Sequence, residues 1–129
     1  MKVNLQPTTC NLCGGKVVYI ENKIIYGKPF GSGYVYFCTE CGAYVGTHRP
    51  RPKVAMGILA NAEMRKAKNM CHDLFDSLWH NQKEREYYYS LLASHMGIPR
   101  EECHFGYFDM KQLNFAYSIL LNIVKGYYG

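Results

Sequence analysis

Apolar and polar residues follow two different rhythms along this chain. Up to about residue 46, apolar residues come in short β-rich runs divided by turn formers. From about residue 59 they recur at steps of three and four. In the first part, Val17-Val18-Tyr19-Ile20 and Ile24-Ile25-Tyr26 flank Glu21-Asn22-Lys23, a pattern that predicts a hairpin. Gly27-Lys28-Pro29-Phe30-Gly31-Ser32-Gly33 reads as a loop, Tyr34-Val35-Tyr36-Phe37 as a third strand, and Ala43-Tyr44-Val45-Gly46 as a fourth candidate.

His48-Arg49-Pro50-Arg51-Pro52-Lys53 then reads as a basic linker, because two prolines exclude a regular helix and favour an extended path. Helical spacing follows. Leu59, Ala62, Ala67, Cys71, Leu74, Phe75 and Leu78 predict a helix over residues 59–79. Asn81 with Glu84 predicts a capped helix whose stripe is Tyr88, Leu91, Leu92 and Met96, ended by Gly97. Asp109 with Gln112 repeats the cap before Leu113, Ala116, Tyr117, Leu120, Leu121 and Val124, closed by Gly126. The three consecutive tyrosines Tyr87, Tyr88 and Tyr89 point three ways on a helix, so at least one should be buried.

Composition narrows the classes. The 129 residues are 48% hydrophobic, enough for a core at this length. Nowhere do about 18 apolar residues run together, which argues against a membrane-spanning helix. Residues 1–7 lack the apolar stretch of a secretory leader, so the reducing cytoplasm is the expected compartment, where disulfides do not persist. The formal charge is +5, and its placement is uneven. Residues 1–56 carry seven basic side chains against two acidic ones, and the remainder balances.

Six cysteines are present, four of them in the repeated element Cys10-Asn11-Leu12-Cys13-Gly14 and Cys38-Thr39-Glu40-Cys41-Gly42. Two intervening residues let both sulfurs of a pair reach one ion, and the glycine lets the backbone turn back beneath it. Two such turns supply four sulfurs for a tetrahedral Zn2+, about 2.3 Å from the metal. A redox C-x-x-C is the alternative, but the doubled motif in a cytosolic chain points to one structural zinc with a closed shell. His48 is not needed as a ligand and reads as a loop residue. Cys71 and Cys103 stand alone and read as small buried hydrophobes.

A second set of groups is His72, Asp76, His104 and Asp109. Brought together, two imidazoles and two carboxylates would hold a second metal or perform the acid–base work of a hydrolase or nuclease. The simpler reading lets Asp76 accept the His72 ring proton and gives Asp109 to a helix cap. Arg49, Arg51, Lys53, Arg65, Lys66 and Lys68, with Tyr34, Tyr36 and Tyr44, make a charged aromatic set suited to nucleic acid, while a solvated helix face also accounts for Arg65, Lys66 and Lys68.

Several of these residues fall into a longer pattern. It runs Cys10-x-x-Cys13-Gly14, then Tyr36-Phe37-Cys38-x-x-Cys41-x-Ala43-Tyr44-Val45-Gly46-x-His48, then Gly57-x-Leu59-Ala60-x-x-Glu63-x-Arg65. It continues through His72-x-x-Phe75-Asp76-x-Leu78-Trp79, Glu86-x-Tyr88, Leu92-Ala93, Gly97-Ile98-Pro99 and Cys103-His104-Phe105-Gly106-x-Phe108-Asp109. The pattern resembles the zinc-finger-containing domain family common in phages and prophages, over roughly residues 10–110. The chain departs from it at Val54-Ala55-Met56-Gly57-Ile58-Leu59-Ala60, where members often carry a Pro-Leu-Gly-Thr-Leu-Ala run. The resemblance implies a zinc module with a helical partner and a phage or mobile-element setting. It includes His72, Asp76, His104 and Asp109 without giving them a role.

The expected fold is therefore α+β: a zinc ribbon with its basic linker over residues 1–53, packed with about three helices over residues 54–129. The expected function is non-enzymatic binding, with nucleic acid as the partner. The alternatives are a module acting on a host or phage protein, and a hydrolase.

Overall fold

A computed structural model describes residues 3–127. The chain divides between Glu63 and Met64 into two compact units. Together a small sheet and several helices make the fold α+β. Among the described residues, no helix is long and apolar enough to cross a membrane.

The first unit is a four-stranded antiparallel sheet in the order β1-β2-β3-β4, with β1 Val17–Glu21, β2 Tyr34–Cys38, β3 Tyr44–His48 and β4 Arg51–Ala55. The register sets Tyr19 opposite Tyr36 and Tyr36 opposite Val45, so these three side chains share a face. That face carries the core: Val17, Tyr36, Cys38, Val45 and Ala55, joined by Cys10, Ala43 and Leu59. Leu5 and Tyr19 pack at its margin.

Two expectations fail here. Ile24-Ile25-Tyr26 is not the second arm of a hairpin. Lys23–Tyr26 coils into one helical turn, α1, and the Asn22 carbonyl takes the amides of Ile25 and Tyr26. The partner of β1 is β2, which brings Tyr36 and Cys38 into the core. The Glu21-Asn22-Lys23 sequence has no glycine for a primed two-residue turn, and asparagine readily bonds nearby backbone instead. Nor is the basic segment a linker. Residues 51–55 form β4, paired with β3 across a bulge between Thr47 and His48. Pro52 is tolerated because β4 is an edge strand, where a missing amide leaves no neighbour unpaired. The extended path expected from the prolines thus becomes a strand.

The second unit is built from three long helices: α2 Ala62–Asp76, α3 Gln82–Met96 and α4 Met110–Val124. Single 3-10 turns at Arg100–Glu102 and Phe105–Tyr107 connect α3 to α4. The caps are those expected. The Asn81 side chain accepts from the Glu84 amide, and Gly97 closes α3 in the left-handed conformation. Asp109 and Gln112 form a complete capping box. The helix α2 starts later than the spacing suggested, since Leu59 lies before it and is buried in the sheet unit's core. On α3 the buried stripe is Tyr89, Leu92 and Ala93, rotated from the expected one. Tyr89 is the buried member of the tyrosine triplet, lying 4.2 Å from the Phe75 ring, while Tyr87 is exposed. Cys71 and Cys103 are buried, as expected of small hydrophobes, and burial pushes both thiols up to about 11.

Candidate metal centre and basic strand

The first cysteine pair lies in the turn before β1. The second spans the end of β2 and the turn into β3. Each turn is closed by its own backbone. Gly14 N donates to Cys10 O at 3.0 Å, and Gly42 N donates to Cys38 O at 3.0 Å. Gly14 and Gly42 have φ of 76° and 80°, the left-handed region that a side chain disfavours, which is why glycine follows each pair. Amides then point at sulfur. Leu12 N reaches Cys10 Sγ at 3.3 Å, Gly15 N reaches Cys13 Sγ at 3.3 Å, and Glu40 N reaches Cys38 Sγ at 3.4 Å.

The four sulfurs converge. All lie within 4.8 Å of one another, with Cys10 and Cys41 at 3.8 Å and Cys13 and Cys38 at 3.5 Å. Corners of a tetrahedron about 2.3 Å from a zinc ion are about 3.8 Å apart, so the arrangement fits zinc. Cys10 and Cys38 are buried and Cys13 and Cys41 exposed, so the site sits at the unit's surface with one wall in the core. Amides from Cys41 and Glu40 hold the Cys38 thiol down, at about 6. At Cys13 the Gly15 amide acts in the same direction, but the neighbouring sulfurs, led by Cys38, outweigh it and push the thiol up to about 12. Four crowded sulfurs resist becoming anions together, and a divalent cation removes that conflict.

A family model described as a zinc-finger-containing domain matches residues 6–122. The chain belongs to that family. No curated protein and no solved structure matches it. Family and geometry agree on a zinc-binding module in which Cys10, Cys13, Cys38 and Cys41 hold one structural zinc. With four protein ligands the shell is closed, and the metal joins the two cysteine turns. His48 ends β3, half-buried, and is not among the converging ligands.

One residue that spacing did not single out completes this part of the zinc-finger domain. Asn11, between the first two ligands, donates through Nδ2 to Leu59 O at 3.0 Å and accepts through Oδ1 from Leu59 N at 2.9 Å. Its side chain thus serves as a short strand partner for a buried backbone segment. No local pattern could signal this, because its partner Leu59 lies 48 residues away.

The basic and aromatic candidates separate. Arg49, Arg51 and Lys53 are exposed on the turn before β4 and on β4 itself. Arg65, Lys66 and Lys68 lie on α2 in the helical unit, where burial, then Arg65, lowers the Lys68 ammonium's pKa. The tyrosines are not the open stacking surface expected. Tyr36 is buried, and its hydroxyl donates to Lys53 O at 2.6 Å. Tyr34 is covered on one side by Tyr19, stacked at 5.0 Å and 7°. The Tyr19 hydroxyl donates to Pro52 O at 2.6 Å. Tyr44 meets Tyr26 edge-on at 6.1 Å. The tyrosine row on the core face therefore anchors the basic strand from beneath.

Among the described residues, His72, Asp76, His104 and Asp109 do not form a metal-holding group. Asp76 accepts from the Trp79 indole at 3.0 Å instead of from His72. The His72 ring sits edge-on to Phe105 at 4.8 Å, and burial there lowers its pKa. His104 lies against Tyr107 at 4.6 Å, and Asp109 caps α4. What the sequence did not disclose is the arrangement around Tyr89. Arg100 and Arg85 both lie over its ring, at 4.3 Å and 4.9 Å. Arg100 also makes a fork to Glu86, at 3.0 Å and 2.7 Å.

Proposed function

We propose that this zinc-finger domain binds nucleic acid through β4 and the turn before it, as a small non-enzymatic module of the kind carried by phages and prophages. The observation that carries the reading is the exposure of Arg49, Arg51 and Lys53 on an edge strand whose carbonyls are held from below by the Tyr19 and Tyr36 hydroxyls. An anchored, extended backbone holds its cations at fixed spacing along a phosphate chain. The zinc site supports the strand without taking part in chemistry.

Charge sets the strength. The excess of basic residues lies in residues 1–56, but four thiolates around a divalent cation subtract two charges from it. Contact is therefore weak and mainly non-specific, micromolar or weaker at physiological salt, on the order of 10⁻⁶ to 10⁻⁴ M.

Titration of labelled single- and double-stranded oligonucleotides at two salt concentrations tests the reading. Three phosphate contacts give a slope of about −2 in log affinity against log salt for single strands. Changing Arg49, Arg51 and Lys53 together to Ala should remove most of the binding and flatten that slope. Binding unchanged in the triple variant, or none at low salt, rejects the reading in favour of a host or phage protein as partner. A protein interface would respond to salt far less.

A further inference from the structure

The connection between β1 and β2 is braced by hydrogen bonds, and it displays large apolar side chains. Asn22 is buried, and its side chain bonds Phe30 twice, donating to Phe30 O at 2.6 Å and accepting from Phe30 N at 3.1 Å. Asn22 N also donates to Gly33 O at 2.8 Å, and Gly33 N to Phe30 O at 2.9 Å. At the loop's end, Ser32 Oγ meets Thr47 Oγ1 at 2.5 Å, which ties it to β3. This bracing buries none of the apolar residues it holds in place. Phe30 and Ile24 are each 71% exposed and Tyr26 is 45% exposed. A solvent-facing phenylalanine whose backbone is fixed by three hydrogen bonds is costly to display and contributes nothing to the core.

The rings are contiguous. Phe30 meets Tyr26 edge-on at 6.0 Å, and Tyr26 meets Tyr44 at 6.1 Å. Arg49 reaches this loop, and Lys28 belongs to it. Arg49 Nε donates to Gly31 O at 3.5 Å, next to Phe30 in the chain, and Lys28 lies two residues before it. Neither Arg49 nor Lys28 pairs with a carboxylate among the described residues, whereas Lys23 is paired with Glu21 at 3.3 Å. A concavity of about 240 Å³, lined by Glu21, Lys23, Pro29, Gly33 and Tyr34, opens beside the same loop.

We infer that Phe30, backed by Tyr26, is a stacking platform for an unpaired nucleobase, with Arg49 and Lys28 as the nearby cations for its phosphates. The occupant is a single-stranded nucleic acid. Charge complementarity selects it: an apolar ring on a loop with two cations that lack a carboxylate partner suits a flat aromatic base on a polyanion, and would leave those cations facing the apolar centre of an ordinary protein interface. Every base presents a π face, so the platform is tolerant of sequence. A duplex keeps its bases stacked on one another and offers Phe30 nothing. The inference rests on the nucleic-acid reading above and narrows it to single strands, with Arg49 shared between β4's approach and the loop.

The test uses the full zinc-loaded chain and three labelled probes: an oligo-dT, an abasic strand of equal length and charge, and a duplex. Phe30→Ala should weaken oligo-dT binding about tenfold, while the abasic strand and the duplex bind as they do to wild type. The salt slope should not change, because no phosphate contact is lost. Because Phe30 is 71% exposed, zinc content and circular dichroism should be unaltered. Phe30→Trp should keep the affinity, and its emission should be quenched by oligo-dT and not by the abasic strand. If Phe30→Ala binds oligo-dT like wild type while the Arg49, Arg51 and Lys53 variant does not, the platform is wrong and the basic-strand reading stands. If wild type binds none of the probes at low salt, both fall, and the exposed ring belongs to a protein contact.

Discussion

The Tyr36 hydroxyl donates a 2.6 Å hydrogen bond to the carbonyl of Lys53, joining the middle of β2 to the basic edge strand β4. The two residues are 17 positions apart, and this bond fixes the strand that carries the proposed phosphate contacts. Burial raises the Tyr36 pKa, so the hydroxyl keeps its proton and remains a donor at any physiological pH. Tyr36→Phe should keep the ring in the core and lose only the bond, destabilising the sheet unit by about 1 kcal/mol. Denaturant unfolding of the variant, followed by tyrosine fluorescence, checks this. A loss beyond about 3 kcal/mol would mean that the ring itself had moved.

Zinc should govern the sheet unit more than the helical one. Cys38→Ser removes a buried ligand from a unit whose core is a handful of side chains, so zinc binding supplies much of its folding energy. The helical unit has its own buried residues, among them Phe75, Phe105, Leu92 and Leu120. Metal analysis should give one zinc per wild-type chain and much less in the variant. Far-UV circular dichroism should retain most of its helical signal. Collapse of that signal would show that the two units fold only together.

Gly15 is the point where the two cysteine turns touch. A β-carbon there would lie 2.6 Å from Glu40 Cβ, closer still to Glu40 Cγ, and 3.1 Å from Cys13 Sγ. Glu40 Cβ is fixed to its backbone, so Gly15→Ala must push the second turn away from the first. Zinc affinity, measured by competition with a chromophoric chelator, should fall at least tenfold, which is about 1.4 kcal/mol. Unchanged affinity would show that the turns separate freely around the metal.

The helical unit should show an acid-sensitive tie at Glu86. The Arg100 guanidinium, forked on this carboxylate, holds its pKa below the usual 4.5. A carboxyl depressed on folding adds stability that is present above the unfolded value and is lost as pH falls through the folded one. Glu86→Gln should therefore be slightly less stable than wild type at neutral pH and converge with it as the pH falls through the lowered pKa of Glu86, by a small margin for so exposed a pair. Thermal melts at pH 7 and pH 3.5 check this. An equal gap at both values would assign the effect to packing instead of charge.

What the sequence determined by itself is whatever closes over a few residues. The C-x-x-C-G element positions two sulfurs and a left-handed glycine within five residues, so its repeat announced the metal site. Asn81 with Glu84, Asp109 with Gln112, and Gly97 marked helix ends because a cap bond reaches only to the next turn. The tertiary structure decided which strand paired with β1, and so whether Ile24-Ile25-Tyr26 extended or coiled. It decided that the two-proline segment joins the sheet, because only the assembled sheet has a free edge beside β3. It buried Tyr36 beneath β4 and set Asn11 against a backbone segment 48 residues away. Such contacts depend on which carbonyl lacks a partner once the chain has closed on itself. That depends on the whole fold, and no local pattern of residue types records it.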